Sequence, residues 1–303
     1  MKNLRVISVS MVLMLACGTI PSAPTIKPPP ATAPASTCRA EEVSPTAVMR
    51  STDHGATWTK LGRICMHDPS ILSVDLTAIP LDGGVALFFV DLKLLGQPAT
   101  VQRIIYRATS KDGVNFDKPQ AVLTDNGDMV DPSVVRTPDG KVRLYVPAFA
   151  HEGMMSAVSN DGITFTWESG ARVTRGGMPG ALVLADHRVR MFLQDEPGIF
   201  SMISDDGLTF TKESGLRIAA ASPKTTDLPF DASPIHLLGG GYLMAFAINL
   251  SDPFVPTKGQ YRLATSNDGL TWTVNPTVFA EGGTSCLVET SDGTLFFYYG
   301  EGV

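Results

Sequence analysis

Three aspartates open comparable segments of the chain: His67-Asp68-Pro69-Ser70-Ile71, Val130-Asp131-Pro132-Ser133-Val134 and Asp231-Ala232-Ser233-Pro234-Ile235. Carboxylates brought from distant segments to one opening can divide proton transfer between them, one held protonated and another ionised. Two such groups held roughly 6.5–9.5 Å apart leave room between them for an attacking water. His151-Glu152, Asp195-Glu196 and Asp91 add further acids and bases, and Glu196 or Glu152 could supply the acid. The catalytic candidates are therefore Asp68, Asp131, Glu196 and Glu152. His67, Asp231, Arg63 and His151 are the candidates for holding substrate. Asp-Pro pairs also cap strands by bonding backbone amides, which is the alternative reading of Asp68 and Asp131. His67 reads as a buried or water-bonded histidine rather than a metal ligand, no CxxC pair occurs, and neither a metal nor a cofactor is expected.

These residues can meet only if the fold repeats. The turn Ser-x-Asp-Gly, or Ser-x-Asp-x-Gly in its first copy, followed by an aromatic residue, occurs five times. The copies are Ser51 to Trp58, Ser110 to Phe116, Ser159 to Phe165, Ser204 to Phe210 and Ser266 to Trp272. Asp can bond backbone amides of its own turn, Gly supplies positive φ, and the aromatic packs inward, so the motif reads as architectural. Upstream of each turn lie short β-branched and aromatic runs such as Val142 to Val146, separated by Asp-Gly turns. Four complete units of four strands follow, and a fifth stops after Tyr299 with its second strand. Ala47 to Arg50 and Thr57 to Lys60 supply the missing pair from the other end of the chain. The expectation is an all-β, five-bladed β-propeller of four-stranded blades, its ring closed by joining N- and C-terminal strands in one blade. First strands line the axis of such a ring. His67, Asp68, Asp131 and Asp231 should then converge at its mouth, with the Ser-x-Asp-Gly turns on the opposite rim.

The turns resemble the Asp boxes, or BNR repeats, of sialidases and related propellers. Sialidases have six blades and use an arginine triad that Arg63, Arg103 and Arg262 do not match by any motif. The blade openings at Asp68 and Asp131 resemble instead those of five-bladed glycosidases, notably glycoside hydrolase family 43. That resemblance implies a general base at Asp68 and an acid-tuning carboxylate at Asp131. The general acid, a Glu opening the third blade in that family, is replaced here by Met178 of Gly177-Met178-Pro179-Gly180.

Residues 1–16 read as a signal peptide: Lys2 and Arg5 precede an apolar run from Val6 to Ala16, too short to span a bilayer. Met14-Leu15-Ala16-Cys17 resembles a bacterial lipobox, with Cys17 as the lipidated residue; ordinary cleavage is the alternative. Residues 17–40 are rich in Pro, Ala and Thr and read as a tether, leaving 41–303 for the propeller. Cys38, Cys65 and Cys286 suggest one disulfide and a spare thiol, with a bond from Cys286 to Cys38 or Cys65 able to pin ring closure. A net charge of −6 argues against nucleic acid. The whole reads as an exported outer-membrane lipoprotein, a monomer with a carbohydrate substrate or ligand at the axial mouth. The alternative function is a non-catalytic propeller that binds protein or glycan.

Overall fold

The computed structural model describes residues 38–95, 97, 101–125, 129–148, 153–174, 176–195, 197–221, 228–248 and 259–301. After a short 3-10 turn (Ala40–Glu42) come β1 (Val43–Ser51) and β2 (Thr59–Cys65). Blade 1 contains β3 (Ser73–Leu81), β4 (Gly84–Asp91), β5 (Arg103–Ser110) and β6 (Gln120–Asp125). Blade 2 contains β7 (Ser133–Arg136), β8 (Val142–Ala148), β9 (Gly153–Ser159) and β10 (Thr166–Val173). Blade 3 contains β11 (Gly177–Val183), β12 (Val189–Asp195), β13 (Gly198–Ser204) and β14 (Thr211–Ala219). Blade 4 contains β15 (Pro229–His236), β16 (Tyr242–Ile248), β17 (Gly259–Ser266) and β18 (Thr273–Val274), with β19 (Ala280–Gly282) pairing farther along β17. The last strands are β20 (Ser285–Glu289) and β21 (Leu295–Gly300).

Each blade is an antiparallel sheet, and the fifth has the order β2-β1-β21-β20. The N-terminal hairpin thus completes the C-terminal one, with β1 paired to β21 from Thr46↔Gly300 to Ser51↔Leu295. Inner strands touch in the cycle β3, β7, β11, β15, β20 and back to β3, so the ring is closed and five-membered. Second strands such as β4 (GVALFFVD) and β21 (LFFYYG) are buried at every residue. Neighbouring blades cover both their faces, which explains continuous apolar runs where a half-exposed strand would alternate.

The five turns are built alike. In four of them the Asp Oδ1 accepts the amides two and three residues on, as in Asp161 from Ile163 (2.8 Å) and Thr164 (2.8 Å), and the hydroxyls of Ser51, Ser110, Ser159 and Ser266 take the Gly amides of their own turns. These bonds to ionised oxygen hold the carboxyls of Asp206 and Asp268 down at about 2. The following ring meets the second strand of the preceding blade edge-on: Phe116 on Tyr298, Phe165 on Phe88, Phe210 on Tyr145 and Trp272 on Phe192. Trp58 packs instead on Phe279 and Phe297 of its own side of the ring, because blade 4 offers Ala245 at that place.

Cys38 is bonded to Cys65, closing the base of the β1–β2 hairpin, and Cys286 is a free, buried thiol. A bond from Cys286 across the ring closure is therefore not formed. Residues 1–37, with the expected signal peptide, Cys17 and most of the tether, lie outside the described residues.

Candidate active site

Inner strands carry the site. In four blades the ladder between first and second strands slips by one residue near its start. The slips fall between Val74 and Thr77, between Gly177 and Gly180, and between Phe230 and Ser233. In blade 2 the break separates the Met129↔Ala148 bridge from Ser133↔Tyr145. Each bulge leaves one residue in the left-handed region: Asp75 (φ 51°), Asp131 (φ 44°), Met178 (φ 48°) and Asp231 (φ 52°). Asp tolerates that region better than most residues, Met poorly, and such backbone costs of order 1–3 kcal/mol at each non-glycine position. Strain repeated around one axis is a signature of a functional mouth.

Two residues beyond three of these four left-handed residues, a hydroxyl ties neighbouring blades together. Thr77 Oγ1 accepts the Val134 amide (3.0 Å), Ser133 Oγ the Ala181 amide (2.8 Å) and Ser233 Oγ the Leu287 amide (2.7 Å). Blade 3 has Gly180 at this place, with no acceptor to offer, and blade 4 answers with Pro234, which has no amide hydrogen. A Cβ on Gly180 would fall 2.0 Å from the Ala232 carbonyl oxygen, so the approach of these two strands requires glycine.

Asp75, Asp131, Met178, Asp231 and Thr284 surround one axial cavity of about 50 Å³, together with Ser285 and Cys286. That volume admits a few waters. The acids are linked to one another and to the fifth blade. Asp131 N donates to Asp75 Oδ2 (3.3 Å), and Asp75 N donates to Thr284 Oγ1 (3.0 Å). Asp231 Oδ2 accepts Ser285 N (2.8 Å), Ser285 Oγ (3.0 Å) and Tyr261 Oη (2.7 Å). The Tyr261 hydroxyl also contacts the Gly283 carbonyl, so its single hydrogen faces two acceptors.

Asp131 and Asp231 are half-buried and line this cavity, and desolvation is the leading cause of their raised pKa values. Burial pushes the Asp75 carboxyl up. Burial, then the charges of Asp75 and Asp231, push Asp131 well above the usual carboxylate range. Ionisation of either carboxyl opposes ionisation of the other, since neighbouring like charges repel. Burial raises Asp231 to about 6 against the opposing bonds from Tyr261 and Ser285. Burial and the Asp231 charge also keep the Cys286 thiol protonated. Acids poised near neutrality beside carboxylates able to accept protons are suited to acid–base work on a neutral, polar substrate.

The expected residues separate into three groups. Asp131 and Asp231 line the cavity. Asp68 does not: its Oδ1 accepts Ser70 N (2.9 Å) and Ser70 Oγ (2.6 Å), its Oδ2 lies 3.6 Å from Lys118, and it caps a turn ahead of β3. The axial place expected for Asp68 belongs to Asp75. His67 lies 3.3 Å from Glu42 and 3.7 Å from Cys65 Sγ, beside the disulfide, and does not line the cavity. Arg63 is exposed and bonds the Glu301 carbonyl (3.1 Å) at the outer edge of blade 5. His151, Glu152 and Glu196 lie outside the described residues. Sequence reasoning missed Asp75, Tyr261 and Ser285. The shared pattern Asp-x-Thr/Ser at Asp75, Asp131 and Asp231 was the available signal.

No family model matches the chain, and no curated protein matches it. Solved structures do. An endo-arabinase from Bacteroides thetaiotaomicron superposes with TM-score 0.56 at 15% identity, over 75% of this chain and 89% of that one. A glycoside hydrolase of the GH130 family of mannoside phosphorylases, which targets β-1,2 mannosidic linkages in Candida mannan, gives 0.54 at 14% identity, over 75% and 84%. A thermostable family-43 glycoside hydrolase gives 0.53 at 14%, over 74% and 82%. At these identities the likeness is one of fold.

Proposed function

We propose that the protein is a carbohydrate-processing propeller, glycosidase-like, working at its axial mouth with Asp75, Asp131 and Asp231. The observation that carries this reading is the delivery of three carboxyls, from three blades and at strained left-handed positions, to one cavity where their pKa values are raised. The fold it shares with arabinan- and mannan-acting enzymes supports a sugar as the ligand. The test is a screen of the purified 38–303 domain against aryl glycosides and a glycan array. Hydrolysis that disappears in Asp75→Asn is the expected result; hydrolysis untouched by it would remove the site from the chemistry. A second reading, glycan binding without turnover, is favoured by Met178 standing where the related enzymes' blade-3 acid would be. Binding without hydrolysis, lost in Asp231→Asn, would select it.

The same proposal places the domain in the cell envelope, tethered through a lipidated Cys17 by the Pro-rich segment after it. Labelled palmitate should enter the full chain, and Cys17→Ser should release it from membranes. A wild-type chain that stays soluble and unlabelled would refute the anchor.

A further inference from the structure

We propose that the base of the β1–β2 hairpin is a redox-governed metal site: when the Cys38–Cys65 disulfide is reduced, Cys38, Cys65, His67 and Glu42 bind one divalent cation of the zinc class. None of the four lines the axial cavity, so the proposal is independent of the carbohydrate reading.

Two segments of chain bring the ligands together. Cys38 precedes and Glu42 ends the 3-10 turn ahead of β1, while Cys65 ends β2 and His67 follows it by two residues. The ladder joins the segments at Val43↔Cys65, and the Met66 amide donates to the Glu42 carbonyl (3.0 Å). Blade 1 holds Cys65 by bonds that do not involve its sulfur: the Cys65 amide donates to the Val114 carbonyl (2.9 Å), and its carbonyl accepts the Phe116 amide (2.9 Å). His67 stands in the left-handed region (φ 50°), a reversal that leaves its imidazole beside the end of the strand it follows. Such backbone in a non-glycine residue persists where its surroundings over-determine it, commonly at binding sites.

The spacings are those of a coordination shell. One ligand atom from each of Cys38, Cys65 and Glu42 lies within 4.8 Å of the other two. His67 Nδ1 is 3.7 Å from Cys65 Sγ and 3.3 Å from Glu42 Oε2. Around tetrahedral zinc, adjacent sulfur and nitrogen ligands stand about 3.6 Å apart, and nitrogen and oxygen about 3.4 Å. Two edges of the polyhedron therefore already have their length, and the two sulfurs need only part to about 3.8 Å by side-chain rotation. A structural disulfide needs neither an imidazole nor a buried carboxylate beside it. Two thiolates, an imidazole and one carboxylate are a zinc donor set, too soft for calcium or magnesium. The Arg39 Nε donates to Glu42 Oε1 (2.9 Å), and its guanidinium offsets the surplus negative charge that three anionic ligands leave around a divalent ion. Cys38 is half-buried and Cys65 buried, so thiol exchange opens at Cys38 Sγ. A dithiol reductant supplies two electrons and two protons and leaves as its own disulfide; the S–S bond breaks to two thiols, and the entering cation displaces both thiol protons to solvent. The hairpin base is then cross-linked in either state, by the covalent bond or through the ion.

The test uses the full chain carrying Cys17→Ser, reduced with a phosphine, freed of reductant without air and titrated with cobalt(II) chloride. One ion per chain should bind, with the charge-transfer absorption of cobalt–thiolate bonds and the intense visible bands of tetrahedral cobalt, and zinc chloride should abolish both. The disulfide-bonded chain should show neither. His67→Asn, which keeps the left-handed backbone, and Cys38→Ser should each weaken cobalt binding at least as much as loss of an outer partner does, about 10–100-fold. Zinc should also raise the melting temperature of the reduced chain and leave that of the oxidised chain unchanged. A reduced chain without charge-transfer absorption would overturn the proposal. Undiminished cobalt affinity in His67→Asn would overturn it too, by reducing the site to a thiol pair, and bands that survive replacement of both Cys38 and Cys65 by serine would place the ion elsewhere. Because the four ligands stand apart from the axial cavity, each of these results holds whether or not the protein cleaves a glycoside.

Discussion

Asp131→Asn is expected to reduce turnover about 10²–10⁴-fold and at the same time to raise the melting temperature at pH 7.5. The two effects share a cause. Asn matches Asp in shape, accepts the left-handed backbone at φ 44°, and can donate to Asp75, but it removes a carboxyl that burial and neighbouring charges oppose ionising. In the unfolded chain an Asp titrates near 3.9. In the fold Asp75 and Asp131 titrate higher and Asp231 near 6, so across this window the folded state binds the extra protons. Their contribution to stability is full below about pH 4 and is lost as pH rises through the folded values. The turn aspartates act in the opposite sense: Asp53, Asp206 and Asp268 titrate near 2, and their contribution is lost as pH falls toward that value. Wild type should therefore melt highest between about pH 4 and 6, and Asp131→Asn should lose less stability than wild type from pH 6 to 8. Melting curves from pH 3 to 8 check both; a wild-type optimum at pH 8 would contradict the buried acid cluster.

Joining the tether directly to Met66, by deleting residues 38–65, should abolish the folded domain. The deletion takes β1 and β2, uncovers the full hydrogen-bonding edge of β21, and opens the ring at its only discontinuous blade. It also removes Ala47, Val48 and Ile64, each fully buried against the faces of neighbouring blades. An unpaired apolar edge of this length recruits other chains, so aggregation is the expected outcome on size-exclusion chromatography. A monomer with an unchanged melting transition would mean that the N-terminal hairpin is an accessory to a ring closed without it.

Blade count and ring closure were legible because they rest on repetition. Five copies of one turn and a half-unit at each end leave little freedom of topology. The register of the first blade was not, and the reason is a decoy: Asp68-Pro69-Ser70 spells the same letters as Asp131-Pro132-Ser133. Spacing distinguishes them. Asp131 stands eight residues before the turn at Asp139 and Asp75 seven before the turn at Asp82, but Asp68 stands fourteen before it. Asp75 was hidden because Val74-Asp75-Leu76 reads as a polar residue in an alternating strand, and a bulge, which rotates that side chain to the axis, has no letter of its own. The Tyr261 contact was illegible for a different cause. It joins a third strand to the carboxyl of a first strand in the same blade, a pairing set by blade twist rather than by any local pattern.

The shared blade also sets an order of events during synthesis. Val43 to Ser51 are made before the four intervening blades, and their partners, Leu295 to Gly300, only after them. Contacts so far apart in sequence raise the contact order and carry a large entropic cost of loop closure. Until then β1 has a partner on one side only. The Cys38–Cys65 bond spans 27 residues within this early hairpin and leaves the distant closure unassisted. The nascent protein therefore holds a finished hairpin in waiting, one edge bare, for as long as the remaining four blades take to emerge. Until the ring closes, that bare edge is open to pairing with other chains, so aggregation during folding is the expected mode of failure.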